Sequence, residues 1–143
     1  MKKTLLYIAL SVAPFYASAD NKCTPNLTKQ DMCIFAKKLA DEVKKELPIK
    51  NSDSLNLIEV KADNTRVILT GELKETRLSL ENTYKIKGIS IEEGEQMLRI
   101  NSKKIACSSK PLASFINLGG VVQYEYVFSD GRLFDIVAIT SCN

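Results

Sequence analysis

The first half of the chain carries an apolar stripe with helical spacing. Residues 28–31 have the form of a helix-capping sequence, with Asp31 in the place usually taken by Glu or Gln. The apolar residues that follow recur at three- and four-residue steps, as one face of a helix requires. They are Met32, Phe35, Ala36, Leu39, Ala40, Val43 and Leu47. Pro48 ends this predicted helix because proline cannot donate to the preceding turn.

Two runs with alternating apolar residues come next and predict a β-hairpin. They span residues 55–62 and 65–73, and Asp63-Asn64 suits the turn because both residue types tolerate positive φ. The alternating positions are Ile58, Val60 and Ala62 in the first run and Val67, Leu69 and Leu73 in the second. Residues 74–88 alternate only in places, which leaves two interpretations open: a further strand or a mobile excursion.

A second helix is predicted from Ser90, where Glu93 completes a capping box. Its apolar residues carry it to about Cys107, although Gly94 weakens it by about 1 kcal/mol relative to alanine. Pro111 suits the first turn of a short third helix.

The C-terminal third has the clearest strand pattern. Residues 121–128 and 132–140 are β-rich runs, and Asp130-Gly131 supplies a two-residue turn. That turn predicts the cross-strand pairs Phe128–Leu133, Tyr126–Asp135, Tyr124–Val137 and Val122–Ile139. One face would collect aromatic and aliphatic side chains for packing against helices.

The order of these elements indicates an α+β fold. Helices grouped between antiparallel hairpins predict an antiparallel β-sheet of about four strands with two to three helices packed on one face.

The first 19 residues have the organisation of a secretory signal peptide. Lys2 and Lys3 precede a short apolar core, and Ala17-Ser18-Ala19 supplies a small-x-small cleavage site. The apolar run is about half the length that a transmembrane helix needs. We therefore predict a signal peptide over residues 1–19, cleavage after Ala19, and a single mature domain over residues 20–143 in the periplasm.

A lipid anchor on Cys23 is not expected. Lipidation requires small or apolar residues before the cysteine, whereas Asp20-Asn21-Lys22 precede it here. No later stretch is apolar enough to span a bilayer, so an integral membrane segment is not expected either.

The mature chain holds four cysteines, Cys23, Cys33, Cys107 and Cys142. An even number in an exported chain indicates two disulfides, for which three pairings exist. We favour Cys23–Cys33, which closes a short loop at a helix start, and Cys107–Cys142, which ties a helix end to the last strand. On the loop-entropy model these closures stabilise by roughly 3 and 4 kcal/mol. Without a CxxC pair or any histidine, a metal site is not expected.

Charge and composition exclude several classes of function. Lys2 and Lys3 account for two of the 20 basic residues, which leaves 18 against 17 acidic ones in the mature chain. A net charge near +1 gives no basis for binding nucleic acid. The chain has no histidine for a catalytic triad, no phosphate-binding loop and no cofactor motif. We expect a small binding module, with neither enzymatic activity nor a cofactor.

Across residues 34–142 the chain resembles the AspS type of type II secretion pilotin, also called GspS-beta. The resemblance lies first in Glu46-Leu47-Pro48 before Leu55-Asn56-Leu57, and in the turn Ala62-Asp63-Asn64-Thr65. Towards the C-terminus it lies in Cys107, residues 116–119, Tyr124-x-Tyr126, Gly131-x-Leu133, Ile139 and Cys142. The chain differs from this family in lacking the lipidation site and in carrying the cysteine pair Cys23 and Cys33.

The resemblance implies an α+β domain with a Cys107–Cys142 disulfide. It also implies binding of a helical segment at the C-terminus of a secretin subunit, which family members escort to the outer membrane. The residues nominated for such an apolar groove are Phe115, Ile116, Leu118, Tyr124 and Tyr126.

Two hypotheses on function follow. The first is a soluble periplasmic binding protein with a pilotin-like fold, whose partner is a segment of a secretion or conjugation component such as a secretin-like subunit. The second is a periplasmic inhibitor or immunity protein against a toxin or a cell-wall hydrolase, with residues 74–88 as the inhibitory loop.

Overall fold

The computed structural model describes residues 22–27 and 29–143. The predicted signal peptide, residues 1–19, lies outside this part of the chain, and so does Thr28. The helices are α1 (Met32–Lys44), α2 (Arg77–Lys87), α3 (Ile91–Ser108) and α4 (Lys110–Asn117). The strands are β1 (Ile49–Lys50), β2 (Leu55–Asp63), β3 (Arg66–Leu73), β4 (Val121–Val127) and β5 (Leu133–Ile139).

The five strands form one mixed sheet in the order β1-β2-β3-β4-β5. All neighbouring pairs are antiparallel except β3 and β4, which run parallel. Parallel neighbours need a crossover connection, and α2, α3 and α4 together provide it. The α+β class is confirmed, but the predicted sheet of four antiparallel strands is wrong in two details. It missed β1, which at two residues is too short to show a pattern, and it missed the parallel pair.

The hydrophobic core lies between one face of the sheet and helices α1, α3 and α4. Alternate residues of three strands point into it: Val67 and Leu69 on β3, Val122, Tyr124 and Tyr126 on β4, and Val137 and Ile139 on β5. The helices contribute Met32, Ala36, Leu39, Ala40, Ala106, Leu112, Phe115 and Ile116. The opposite face of the sheet carries a row of hydrogen-bonded polar side chains. The Arg66 side chain donates a hydrogen bond to Gln123, and the Gln123 side chain donates one to Glu125.

Helix α1 begins one residue after Asp31. The Asp31 carboxylate accepts a hydrogen bond from the Ile34 backbone N–H at 3.0 Å, so Asp31 is the N-cap residue itself. The sequence pattern predicts Asp31 as the last residue of a capping box that begins at Thr28, and this prediction is wrong.

The first hairpin is present, but its register contains a bulge. The pairing of β2 with β3 shifts between Leu57 and Glu59, so that Leu57 and Val60 both face the core while Ile58 is 40% exposed. The predicted inward position of Ile58 is therefore wrong, because one extra residue in a strand reverses the alternation beyond it. The predicted turn at Asp63-Asn64 is wrong by one residue, because Asp63 pairs with Arg66 and the turn residues are Asn64 and Thr65. Asn64 adopts a φ of 52°.

Residues 77–87 form helix α2, so both interpretations of the ambiguous segment were wrong. The Thr76 hydroxyl caps its N-terminus by accepting from the Ser79 N–H, and Gly88 ends it in the left-handed conformation at φ 66°. Leu80 is its only buried residue. A helix that buries a single side chain has no apolar stripe, which is why the periodicity did not reveal it.

The C-terminal hairpin confirms three of the four predicted pairs, those of Val122, Tyr124 and Tyr126. The fourth is wrong because the register shifts after Tyr126 and pairs Leu133 with Val127. Phe128 is consequently buried while Leu133 is 53% exposed.

Both favoured disulfides are present. Cys23–Cys33 clasps the N-terminal segment to the first turn of α1, and the Cys23 carbonyl also accepts from the Met32 N–H at 2.6 Å. Cys107–Cys142 joins the end of α3 to the segment that follows β5.

We expect the two disulfides to stabilise the fold unequally. Cys107–Cys142 spans 35 residues and Cys23–Cys33 spans 10. On the loop-entropy model the longer closure contributes about 1 kcal/mol more. The double variant Cys107→Ser with Cys142→Ser should therefore show a lower thermal midpoint than Cys23→Ser with Cys33→Ser. Equal midpoints by circular dichroism would refute this ordering.

Candidate functional site

Four of the five residues nominated for a partner-binding groove belong to the core. Phe115, Ile116, Tyr124 and Tyr126 are each at most 3% exposed, and Leu118 is half-buried. Phe115 packs edge-on against Phe35 of α1 at a ring distance of 5.3 Å, and Tyr124 stacks on Tyr126 at 5.9 Å. These side chains hold α4 and α1 on the sheet, so they do not form the open apolar surface that the nomination required.

A groove of about 930 Å³ lies between α2, α3 and one end of the sheet. We call it the α2–α3 groove. Helix α3 contributes Gly94, Met97, Leu98, Asn101, Ser102, Lys104, Ile105 and Ser108, and helix α2 contributes Leu80, Thr83, Tyr84 and Lys87. The remaining lining residues are Asn51, Ser52, Ser54, Leu55, Leu73, Glu75, Ser109, Tyr126 and Phe134. Of the nominated residues, only Tyr126 reaches this groove.

Leucine side chains make the floor of the groove apolar. Leu55 and Leu80 are buried, while Leu73 and Leu98 are partly buried and pack against the core. Because the α3 residues recur at three- and four-residue steps, they face the groove as one continuous side of the helix.

Two large apolar side chains on the α3 wall remain open to solvent. Met97 is 45% exposed and Ile105 is 39% exposed. Single exposed apolar residues are ordinary on a protein surface, but these two flank a concave apolar floor. Apolar side chains that line a concavity of this size are typical of a binding site.

The contact between Tyr84 and Gly94 sets the distance between the two helices. A Cβ atom at position 94 would overlap the Tyr84 ring, so the ring lies directly on the α3 backbone. The glycine that weakens α3 as an isolated helix is therefore the residue that lets α2 approach it closely.

The other end of α2 is held by Arg77. Its guanidinium lies 5.3 Å from the centre of the Phe128 ring and 5.9 Å from that of Phe134, and it pairs with Glu81 at 3.4 Å. Cation–π contacts of this kind contribute about 0.5–1 kcal/mol at exposed sites. Arg77 and Tyr84 thus attach the two ends of a helix that buries only Leu80.

Polar contacts fix α3 to the sheet beneath the groove. The Ser102 hydroxyl donates to the Leu98 carbonyl at 2.6 Å, so the Tyr126 hydroxyl, 2.7 Å away, donates to Ser102 Oγ. Arg99 makes a two-point ion pair with Asp135 of β5, with both N–O distances at 3.1 Å. These bonds make α3 the rigid wall of the groove.

Within residues 22–27 and 29–143 there is one group of metal-ligating side chains, formed by Cys23, Asp31 and Cys33. Its two sulfur atoms are bonded to each other and supply no thiolate. None of the described helices is long and apolar enough to cross a membrane.

Solved structures of secretion pilotins share this fold. The pilotin EpsS of the Vibrio vulnificus type 2 secretion system aligns with a TM-score of 0.61 at 16% identity, over 78% of this chain and 92% of the pilotin. The type II secretion system pilotin AspS from Vibrio cholerae aligns with a TM-score of 0.58 at 18% identity, over 76% and 88% of the two chains. A protein from Pseudomonas aeruginosa aligns with a TM-score of 0.57 at 11% identity, over 80% and 98%.

The chain therefore has a pilotin-like fold, as its resemblance to the AspS type implied. No protein-family model matches it, and no curated protein matches its sequence. At these identities the likeness establishes the fold, and the functional argument has to come from the groove.

Because of the Tyr84–Gly94 contact, we expect the effect of Gly94→Ala on stability to change sign when Tyr84 is removed. In the otherwise unchanged protein, Gly94→Ala should lower the free energy of unfolding because the Tyr84 ring must move away. In a Tyr84→Ala background the same substitution should raise it by about 1 kcal/mol, the helix-propensity gain of alanine over glycine. Urea unfolding measures both values, and an equal gain in the two backgrounds would contradict the contact.

The Tyr126 hydroxyl predicts a pH dependence of stability. Burial chiefly raises its pKa, and the charge of Asp135 raises it further. With a net rise above the unfolded value of about 10, the contribution of Tyr126 is complete below pH 10 and is lost as the pH increases through the folded pKa. Above pH 10, the free energy of unfolding of Tyr126→Phe should therefore fall less steeply with pH than that of the unmodified protein. Identical slopes for the two proteins above pH 10 would contradict this account.

Proposed function

We propose that this protein is a non-catalytic periplasmic protein that binds an amphipathic helix of a secretion-system envelope component in the α2–α3 groove. The observation that carries the proposal is the groove itself, with its leucine floor and the exposed side chains of Met97 and Ile105. An amphipathic helix that lays its apolar face into such a groove is a recurrent mode of peptide recognition.

The dimensions and the lining of the groove favour a helix over an extended segment. From Gly94 to Ser108 the α3 wall rises through 14 residues, or about 21 Å, which matches a helix of about four turns. An extended segment would need backbone partners, but β3 and β4, which contribute Leu73 and Tyr126 to the lining, are each paired on both sides. A helix satisfies its own backbone hydrogen bonds and presents only side chains to the groove.

The pilotin-like fold supports a secretion component as the partner. The named neighbours in structure are pilotins of type II secretion systems. The resemblance noted in the sequence points in the same direction, towards a helical segment at the C-terminus of a secretin subunit. Cleavage after Ala19 would release the domain into the periplasm, where such a segment is accessible. The proposal concerns binding, because escort to the outer membrane would require an anchor that Asp20-Asn21-Lys22 before Cys23 does not favour.

The alternative hypothesis, an inhibitor, predicts an inhibitory loop over residues 74–88. Most of that segment is helix α2, which forms one wall of the groove. No structural feature of the described residues favours the inhibitor over the binding protein, so we retain it only as an outcome of the test.

Met97→Asp combined with Ile105→Asp should abolish partner capture without unfolding the protein. Both side chains are partly exposed in the free protein, whereas a bound helix would bury the new carboxylates without partners. Immobilised protein, residues 20–143 with both disulfides intact, should retain a secretin or another secretion component from a native envelope extract. Quantitative mass spectrometry should show at least a tenfold loss of that component for the double variant.

Ile100→Asp is the matched control. Ile100 lies on the same helix and is 60% exposed, but it does not line the groove. Capture by this variant should equal that of the unmodified protein. Undiminished capture by the Met97 and Ile105 variant would refute the groove as the binding site, and selective capture of a soluble hydrolase or toxin would favour the inhibitor.

A further inference from the structure

Three charged side chains line the α2–α3 groove: Glu75, Lys87 and Lys104. The Glu75 carboxylate accepts a hydrogen bond from the Ser79 hydroxyl at 3.1 Å and lies close enough to Tyr84 to raise the pKa of that phenol, although burial contributes more to the rise. Glu75 is therefore engaged within its own wall of the groove. Among the described residues, neither Lys87 nor Lys104 takes part in an ion pair.

The rest of the polar lining is neutral. It consists of the hydroxyl and amide side chains of Asn51, Ser52, Ser54, Thr83, Tyr84, Asn101, Ser108 and Ser109, with Ser102 and Tyr126 deeper in the groove. Two ammonium groups and one carboxylate give the lining a net charge of +1 (two minus one), which favours a negatively charged occupant.

The two lysines belong to opposite ends of the groove. Lys87 is the last residue of α2, four residues before α3 begins at Ile91. Lys104 lies 13 residues beyond Ile91, which corresponds to about 20 Å along the α3 axis. Lys87 therefore belongs to the end of the groove at which α3 begins, and Lys104 lies towards the other end.

We propose that the occupant of the α2–α3 groove is an acidic amphipathic helix of about four turns, with carboxylates near each end that pair with Lys87 and Lys104. This inference rests on the proposed function and adds the charge of the partner to it. Apolar side chains at helical spacing would meet the leucine floor and supply most of the affinity. The lysines would select an acidic helix over a basic one of equal apolarity, because like charges across an interface oppose association.

Two synthetic helical peptides of about fifteen residues test the inference directly. They share one stripe of leucines and differ only in the flanking residues of the first and last turns, which are glutamate in one and lysine in the other. Fluorescence anisotropy would measure their affinity for the protein, residues 20–143, at about 50 mM and about 500 mM NaCl. The acidic peptide should bind about tenfold more tightly at the lower salt concentration, since each exposed pair contributes up to about 1 kcal/mol. The difference should shrink at the higher concentration because salt screens exposed charges.

Charge reversal on the protein provides the second arm. Lys87→Glu with Lys104→Glu should invert the preference, so that the basic peptide binds more tightly. The matched control, Lys37→Glu with Lys38→Glu, changes the net charge equally on exposed residues of α1 outside the groove and should leave the preference unchanged.

Equal affinities for the two peptides, or a preference altered as much by the α1 control as by the groove variant, would overturn the inference. If both peptides bind the unmodified protein and neither binds the Met97 and Ile105 variant, the groove remains the binding site. The proposed function would then stand without charge selectivity. Absence of binding by either peptide would overturn the acidic-helix assignment, and the envelope capture experiment would then decide the proposed function independently.

Discussion

The parallel pairing of β3 with β4 is the constraint on which the rest of this structure depends. Parallel neighbours cannot be joined by a tight turn, so the chain must leave one end of the sheet and return to the other. Helices α2, α3 and α4 make that connection. Of these, α3 and α4 pack against the sheet together with α1. Helix α2 packs against α3 and buries only one residue. The groove is the space that this arrangement leaves unfilled.

The two walls of the groove are held very differently. Helix α3 is fixed by the Cys107–Cys142 disulfide, by the Arg99–Asp135 ion pair and by the hydrogen bond between Ser102 and Tyr126. Helix α2 depends on Arg77 over the aromatic rings at one end and on Tyr84 against Gly94 at the other. A rigid wall beside a lightly attached one suits a protein that receives a helical segment, because the binding residues of α3 are already in position.

The features that could be predicted from the sequence are those encoded by neighbouring residues. The capping box of Ser90 and Glu93 and most of the C-terminal register are local patterns, and the structure contains both. The parallel pair and the exposure of Ile58 escaped prediction, because one joins distant segments and the other follows from a bulge. The groove also escaped prediction, because its lining comes from both ends of the crossover connection. In addition, buried residues such as Phe115 carried the stronger apolar signal in the sequence. The available clue was that Met97 and Ile105 lie on the same side of the predicted helix.

Site-specific photocrosslinking in the native envelope tests the central claim most directly. A photoreactive phenylalanine at Met97 would report what lies in the groove, and the same probe at Ile34, which is 53% exposed on α1, would report the remaining surface. The account predicts that the Met97 probe, and not the Ile34 probe, crosslinks to a helical segment of a secretion component. Crosslinks to such a component from Ile34 alone would contradict it, because the partner would then bind a surface other than the α2–α3 groove.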